Sequence, residues 1–146
     1  MPLDTKAAGK TYEPKTYAVG REKVREYANA VRETNPVHLD VEAARAAGYA
    51  DVVAPPMFAV VYSAPAMAPA VLDPEVGINL AMMVHGGQEF AWGAPVVAGD
   101  EITTTASVKD ISERDGKGFY VFETVSKNQD GETVCTGTWT NIVRGV

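Results

Sequence analysis

Two histidines, one cysteine and a scatter of carboxylates hold most of the reactive side chains in this 146-residue chain. The stretch ETNPVHLD, residues 33–40, sets Glu33, Asn35 and His38 in close succession around an Asn-Pro break. A histidine on a half-buried loop, with an acid or a carbonyl to fix its tautomer, is suited to general-base work near neutral pH. The same letters also spell helix punctuation, with His38 at the surface between Glu33 and Asp40. Both readings stand on the residues alone.

The other histidine, His85, lies in MVHGGQEFAWGAPVVAGDEI, residues 83–102. Gly86-Gly87 beside it permits a bulge or a close backbone approach, so His85 reads first as a structural strand residue. The two histidines are far apart and have no clear third ligand, which predicts no metal site. Ser63, in an apolar helical stretch, is expected to bond back to a carbonyl one turn earlier. Cys135 reads as a small apolar strand residue, and one cysteine cannot form an intrachain disulfide. No nucleophile elbow, phosphate loop or dinucleotide fingerprint occurs.

Several elements must position these groups. Tyr12, Tyr17 and Val19 around Pro14 predict a short edge strand within residues 10–19. Val24, Tyr27, Ala28 and Val31 fall at i, i+3, i+4 and i+7, predicting an amphipathic helix over 21–33 that Asn35-Pro36 stops. Asp40 is placed to cap a second short helix, with Gly48 just past its end. Residues 54–72, APPMFAVVYSAPAMAPAVL, are apolar nearly all round and open on proline, predicting a buried helix that Pro65 and Pro69 kink or end. Strands are expected over 80–92, 101–111, 119–128 and 133–143, with tight turns at Asp115-Gly116 and Asp130-Gly131. This order predicts an α+β architecture in one domain, residues 1–146, with the sheet covering the apolar helix.

The balance of 46% apolar and 22% charged residues is that of a soluble globular protein. A net charge of −6 and the lack of basic runs argue against nucleic acid or a membrane as partner. The opening MPLDTKAAGK has no apolar signal core and no run is long enough to span a bilayer, so a cytoplasmic location is expected.

Taken together, NPVHLDVEAARAAGYADVVAPPMF (35–58), MMVHGGQEF (82–90) and the closing strands resemble the MaoC-like (R)-specific enoyl hydratase and (3R)-hydroxyacyl dehydratase family. The APPMF opening is similar to the N-terminal-type, FAS1-like dehydratase domain of that family. The resemblance implies a single hot-dog fold, an antiparallel sheet wrapped around a long central apolar helix. It also implies interconversion of trans-2-enoyl and (3R)-hydroxyacyl thioesters of CoA or acyl carrier protein, with no cofactor. In this family His38 matches the catalytic histidine, Asn35 its asparagine, and Glu33 stands where an aspartate is usual. Pro56, Met57, Phe58, Val61 and Tyr62 would flank the acyl chain, with His85 and Gly86 as further substrate contacts. Pro55-Pro56 replaces a His-Gly pair whose glycine amide binds the thioester oxygen. The implied partner is a second hot-dog subunit, in a homodimer or a heterodimer. One alternative is a non-catalytic acyl-binding subunit of a heterodimeric dehydratase. A thioesterase would need a carboxylate on the central helix, and residues 56–72 contain none.

Overall fold

The structure, a computed structural model, describes residues 3–146. Strand β1 (Lys15–Ala18) leads into helices α1 (Arg21–Ala30) and α2 (Val41–Ala46), then the central helix α3 (Ala59–Val71). Strands β2 (Met83–Trp92), β3 (Glu101–Arg114), β4 (Lys117–Lys127) and β5 (Thr133–Arg144) follow. The sheet is antiparallel throughout, in the order β1-β3-β4-β5-β2. β1 and β2 are therefore its two edges, as the proline beside β1 and the glycines of β2 suggest.

Period-2 burial on β3, β4 and β5 turns one face of the sheet inward: Ile102, Thr104, Ala106 and Val108, then Tyr120, Phe122 and Thr124, then Val134, Trp139 and Val143. Helix α3 lies on that face through Ala59, Tyr62, Ser63, Ala66, Met67 and Ala70, a stripe of helical spacing. Val60, Pro65, Ala68 and Pro69 remain exposed. Sequence alone suggested burial all round, but one curved sheet covers only one side of a helix. Under the helix, Thr104 Oγ1 pairs with Ser126 Oγ at 2.7 Å and Trp139 Nε1 donates to Thr124 Oγ1 at 2.9 Å, while the buried side-chain amide of Gln88, beside Trp139, has no partner among the described residues.

Four local expectations need adjustment. Helix α3 runs through both prolines instead of ending at them. Each removes a hydrogen bond, yet both sit on the exposed side, where water reaches the freed carbonyls of Val61 and Pro65 and the buried stripe on the other side is undisturbed. Residues 56–58 form a turn of 3-10 helix ahead of α3. Helix α1 ends at Ala30, short of the Asn-Pro break, because Arg32 takes a left-handed φ of 59° and the Glu33 N–H bonds Ala28 O at 2.8 Å. The strand expected from residue 80 begins at Met83, after a 3-10 turn over Leu80–Met82. Asp40 caps α2 by accepting from the Glu42 N–H, and Asp115-Gly116, with φ of 53° and 70°, closes the β3–β4 hairpin.

A polar cluster ties the N-terminal segment to the end of α3. Lys10 Nζ donates to Asp73 Oδ2 and to Glu75 Oε2, each at 2.7 Å, and the Tyr12 hydroxyl donates to Asp73 Oδ2 at 2.7 Å. The Lys10 ammonium, then Tyr12, hold the Asp73 carboxyl down from 3.8 to about 2. A carboxyl depressed in the folded state stabilises it above the unfolded value and loses that contribution as pH falls. Wild-type thermal midpoints should therefore decline between about pH 4 and 2 more steeply than those of Asp73→Asn. Parallel acid limbs for the two proteins, followed by circular dichroism, would remove Asp73 from the account.

The result is the α+β hot-dog arrangement expected of the sequence, one antiparallel sheet curled against a central helix. Among the described residues no helix is long and apolar enough to cross a membrane.

Candidate active site

The turn after α1 delivers the ETNPVHLD stretch. With Arg32 left-handed, the chain reverses and the Glu33 carboxylate folds back on its own backbone, Oε1 accepting from the N–H groups of Thr34 (2.9 Å) and Asn35 (3.1 Å). These two amides hold the Glu33 carboxyl below its usual value, with a smaller contribution from nearby His38. The Asn35 side chain accepts from the Val37 N–H at 3.2 Å and caps a one-turn 3-10 helix over Pro36–His38. That turn presents His38 inward, 9% exposed.

A short ladder fixes the ring. The Val53 N–H donates to Val37 O at 2.9 Å, while Ala54 N–H and Ala98 N–H bond Val96 O and Val52 O. Val53 O, held in this ribbon, lies 2.6 Å from His38 Nδ1. A carbonyl can only accept, so Nδ1 carries the proton and Nε2 of the neutral ring keeps its lone pair. His38 is thus preset as a base through one nitrogen.

His38 lines a cavity of about 250 Å³ whose other walls are residues 53–56, Tyr62, residues 92–96 and Val134. The lining residues are apolar apart from His38, Tyr62 and Trp92. Trp92, at the end of β2, donates from Nε1 to Pro56 O at 2.8 Å and joins the sheet edge to the start of the central helix. Tyr62 is 2% exposed. Burial, then the adjacent Cys135, raises its phenol well above the ordinary value, so it stays protonated, and burial likewise pushes the Cys135 thiol up.

Of the residues singled out from sequence, His38, Pro56 and Tyr62 meet at this cavity. Glu33 and Asn35 lie on the turn that carries His38, their side chains occupied by backbone amides. Phe58 is fully buried against Tyr17, Tyr27 and Tyr62 instead of lining the cavity. Val61 is half-buried and Met57 exposed, both outside the lining. His85 and Gly86 lie toward the opposite end of β2 from Trp92. There the His85 ring meets Trp139 edge-on at 6.1 Å, and a β-bulge lets Gly86 sit where a Cβ would strike Ile142. Ser63 Oγ donates to Ala59 O, one turn back. Sequence reasoning missed Trp92 and the wall at residues 94–96. The signal available was a large aromatic closing a strand immediately before Gly93-Ala94-Pro95.

Among the described residues no three His, Cys, Asp or Glu side chains converge as metal ligands. The arrangement can move a proton at Nε2 of His38 inside an apolar cavity large enough for part of a small acyl group.

Residues 6–137 match a family model described as FAS1-like, dehydratase domain region. A UPF0336 protein of Saccharopolyspora erythraea is 46% identical over 146 residues, spanning 99% of this chain and 94% of its own length. The C-terminally truncated HadBC (3R-hydroxyacyl-ACP dehydratase) complex of Mycobacterium tuberculosis contains a similar chain, 32% identical with TM-score 0.79, matched over 96% of this chain and 99% of that one. A MaoC-like dehydratase gives TM-score 0.83 at 32% identity, with 97% of this chain matched to 43% of a longer chain.

Proposed function

Because the chain belongs to the family of FAS1-like dehydratase domain regions, we propose that it interconverts trans-2-enoyl and (3R)-hydroxyacyl thioesters carried by CoA or acyl carrier protein. The observation that carries this reading is the His38 ring, locked by Val53 O with Nε2 free at the wall of an apolar cavity.

In hydration, Nε2 takes a proton from water as the water oxygen bonds to C3 of the enoyl group. The C2=C3 electron pair shifts toward C1 and negative charge gathers on the thioester oxygen. The enolate collapses by taking a proton at C2 from the imidazolium, so one water has been added. Dehydration is the reverse. Glu33 does not suit the role of acid, because two amide donors keep its carboxylate ionised. The carboxylate oxygen that the amides leave free can instead hold the water. Asn35 acts by shaping the turn that aims His38.

A second subunit belongs to this reading. Among the described residues the outer edge of β2 has no neighbouring strand, and Val84 and Trp92 on it are exposed, as are Met57 and Val60 near the start of the central helix. Apolar surface beside an open edge is what a second hot-dog domain would cover. That domain is either another copy of this chain or a distinct mate. The prolines opening the central helix favour the mate as a second reading, in which this chain holds the acyl group and the chemistry belongs to the mate.

The test supplies crotonyl-CoA and a longer enoyl-CoA to the purified protein, alone and with a candidate mate, and follows loss of the enoyl absorbance. Turnover by the protein alone is expected. Turnover only with the mate, insensitive to His38, would assign the chain as the binding subunit. No turnover in either setting would sink the proposal.

A further inference from the structure

The proposed reaction places negative charge on the thioester oxygen, and that charge needs a donor. The central helix opens with Pro55 and Pro56, both at the cavity wall and neither possessing an N–H. The first amide available there is Met57, whose residue lies outside the lining. Besides the Trp92 indole, which Pro56 O engages, one other neutral side chain with a donor belongs to the lining. Tyr62, one turn into the central helix from Phe58, shares the lining with His38 and is 2% exposed.

We infer that Tyr62 is a catalytic residue of this site, its hydroxyl donating a hydrogen bond to the thioester oxygen as the enolate forms. The geometry carries this in three ways. The phenol is held in place by its neighbours, with its ring 6.3 Å from that of Phe58. The Cys135 thiol lies near its hydroxyl, and sulfur is a weak acceptor, so the proton is available to a stronger one. Cys135 is also the register partner of Trp92, which shares the cavity lining with Tyr62. Burial keeps the phenol neutral across the working range of pH, as a donor requires. No proton leaves Tyr62 in the cycle. The hydrogen bond shortens as charge develops and relaxes when C2 is protonated.

This inference rests on the proposed reaction, and two measurements keep the two apart. First, Tyr62→Phe keeps the ring and removes only the hydroxyl. Its kcat should fall about a hundredfold, with KM within about twofold, because the bond strengthens only as charge forms. Second, acetoacetyl-CoA binds without turnover and reports an oxyanion donor through the ultraviolet band of its enolate. Wild type should enhance that band and Tyr62→Phe should not. Fluorotyrosine at position 62 supplies an isosteric check should the phenylalanine variant fold poorly, since kcat should follow the acidity of the phenol. Equal kcat, or equal enolate bands, in wild type and variant overturn the inference. So does the lack of any band in wild type with or without a mate. An intact, Tyr62-dependent band without enoyl turnover would instead overturn the proposed reaction and leave the donor assigned.

Discussion

His38→Ala is expected to lower kcat/KM for enoyl-thioester hydration by roughly 10²–10⁴-fold, the range seen when a positioned acid-base group is removed. The size follows from the lack of a substitute. His85 lies toward the far end of β2, and the Glu33 carboxylate is engaged by two amides. The same change strips Val53 O of its donor in a buried setting, which costs about 1–3 kcal/mol. Rate and thermal midpoint should therefore be read together. His38→Gln, which can still reach a carbonyl through its amide, should recover part of the stability and none of the rate. Hydration rates equal to wild type in either variant would remove His38 from the chemistry.

Phe58→Ala should be the most destabilising of the site-region substitutions, by about 3–5 kcal/mol, a drop of roughly 6–20 °C in midpoint for a domain of this size. Phe58 is fully buried at the point where three elements meet. Its ring stands edge-on to Tyr27 of α1 at 5.4 Å and to Tyr17 of β1 at 6.2 Å, and lies 6.3 Å from Tyr62 of α3. Such pairs contribute beyond their buried area, and removing a fully buried ring leaves a cavity that its surroundings fill only in part. Thermal unfolding with enzyme assays below the midpoint checks this. A raised KM with an unchanged midpoint would return Phe58 to the acyl-contacting set.

The framework was legible because its signals are local. β-branched runs between Gly, Asp and Asn punctuation marked the long strands, Asp115-Gly116 announced the hairpin, and Asp40 with Gly48 bounded α2. The stop of α1 was misread because it depends on Arg32 adopting a left-handed φ that glycine or asparagine usually supplies. The path of α3 through Pro65 and Pro69 depends on which side of the helix the sheet covers, and no window of residues records that. The site was legible to the extent that it is a motif. His38 could be named from the Asn-Pro loop, and Pro56 and Tyr62 from their place on the apolar helix. Its tautomer could not, since Val53 reaches the ring through a ribbon shared with Val37, Val96 and Val97. Trp92 was hidden for the same reason. Its hydrogen bond to Pro56 crosses thirty-six residues of chain.

The paired prolines at the cavity wall also simplify isotope exchange. Neither Pro55 nor Pro56 has an amide to trade, and the amide of Ala54 is protected by its bond to Val96 O. Across residues 54–57 the deuterium taken up early therefore reports on a single group, the Met57 N–H. A proteolytic fragment covering this segment becomes a one-site clock for the exposed turn beside the cavity wall, slowed when an acyl thioester or a second subunit covers it and fast when nothing does.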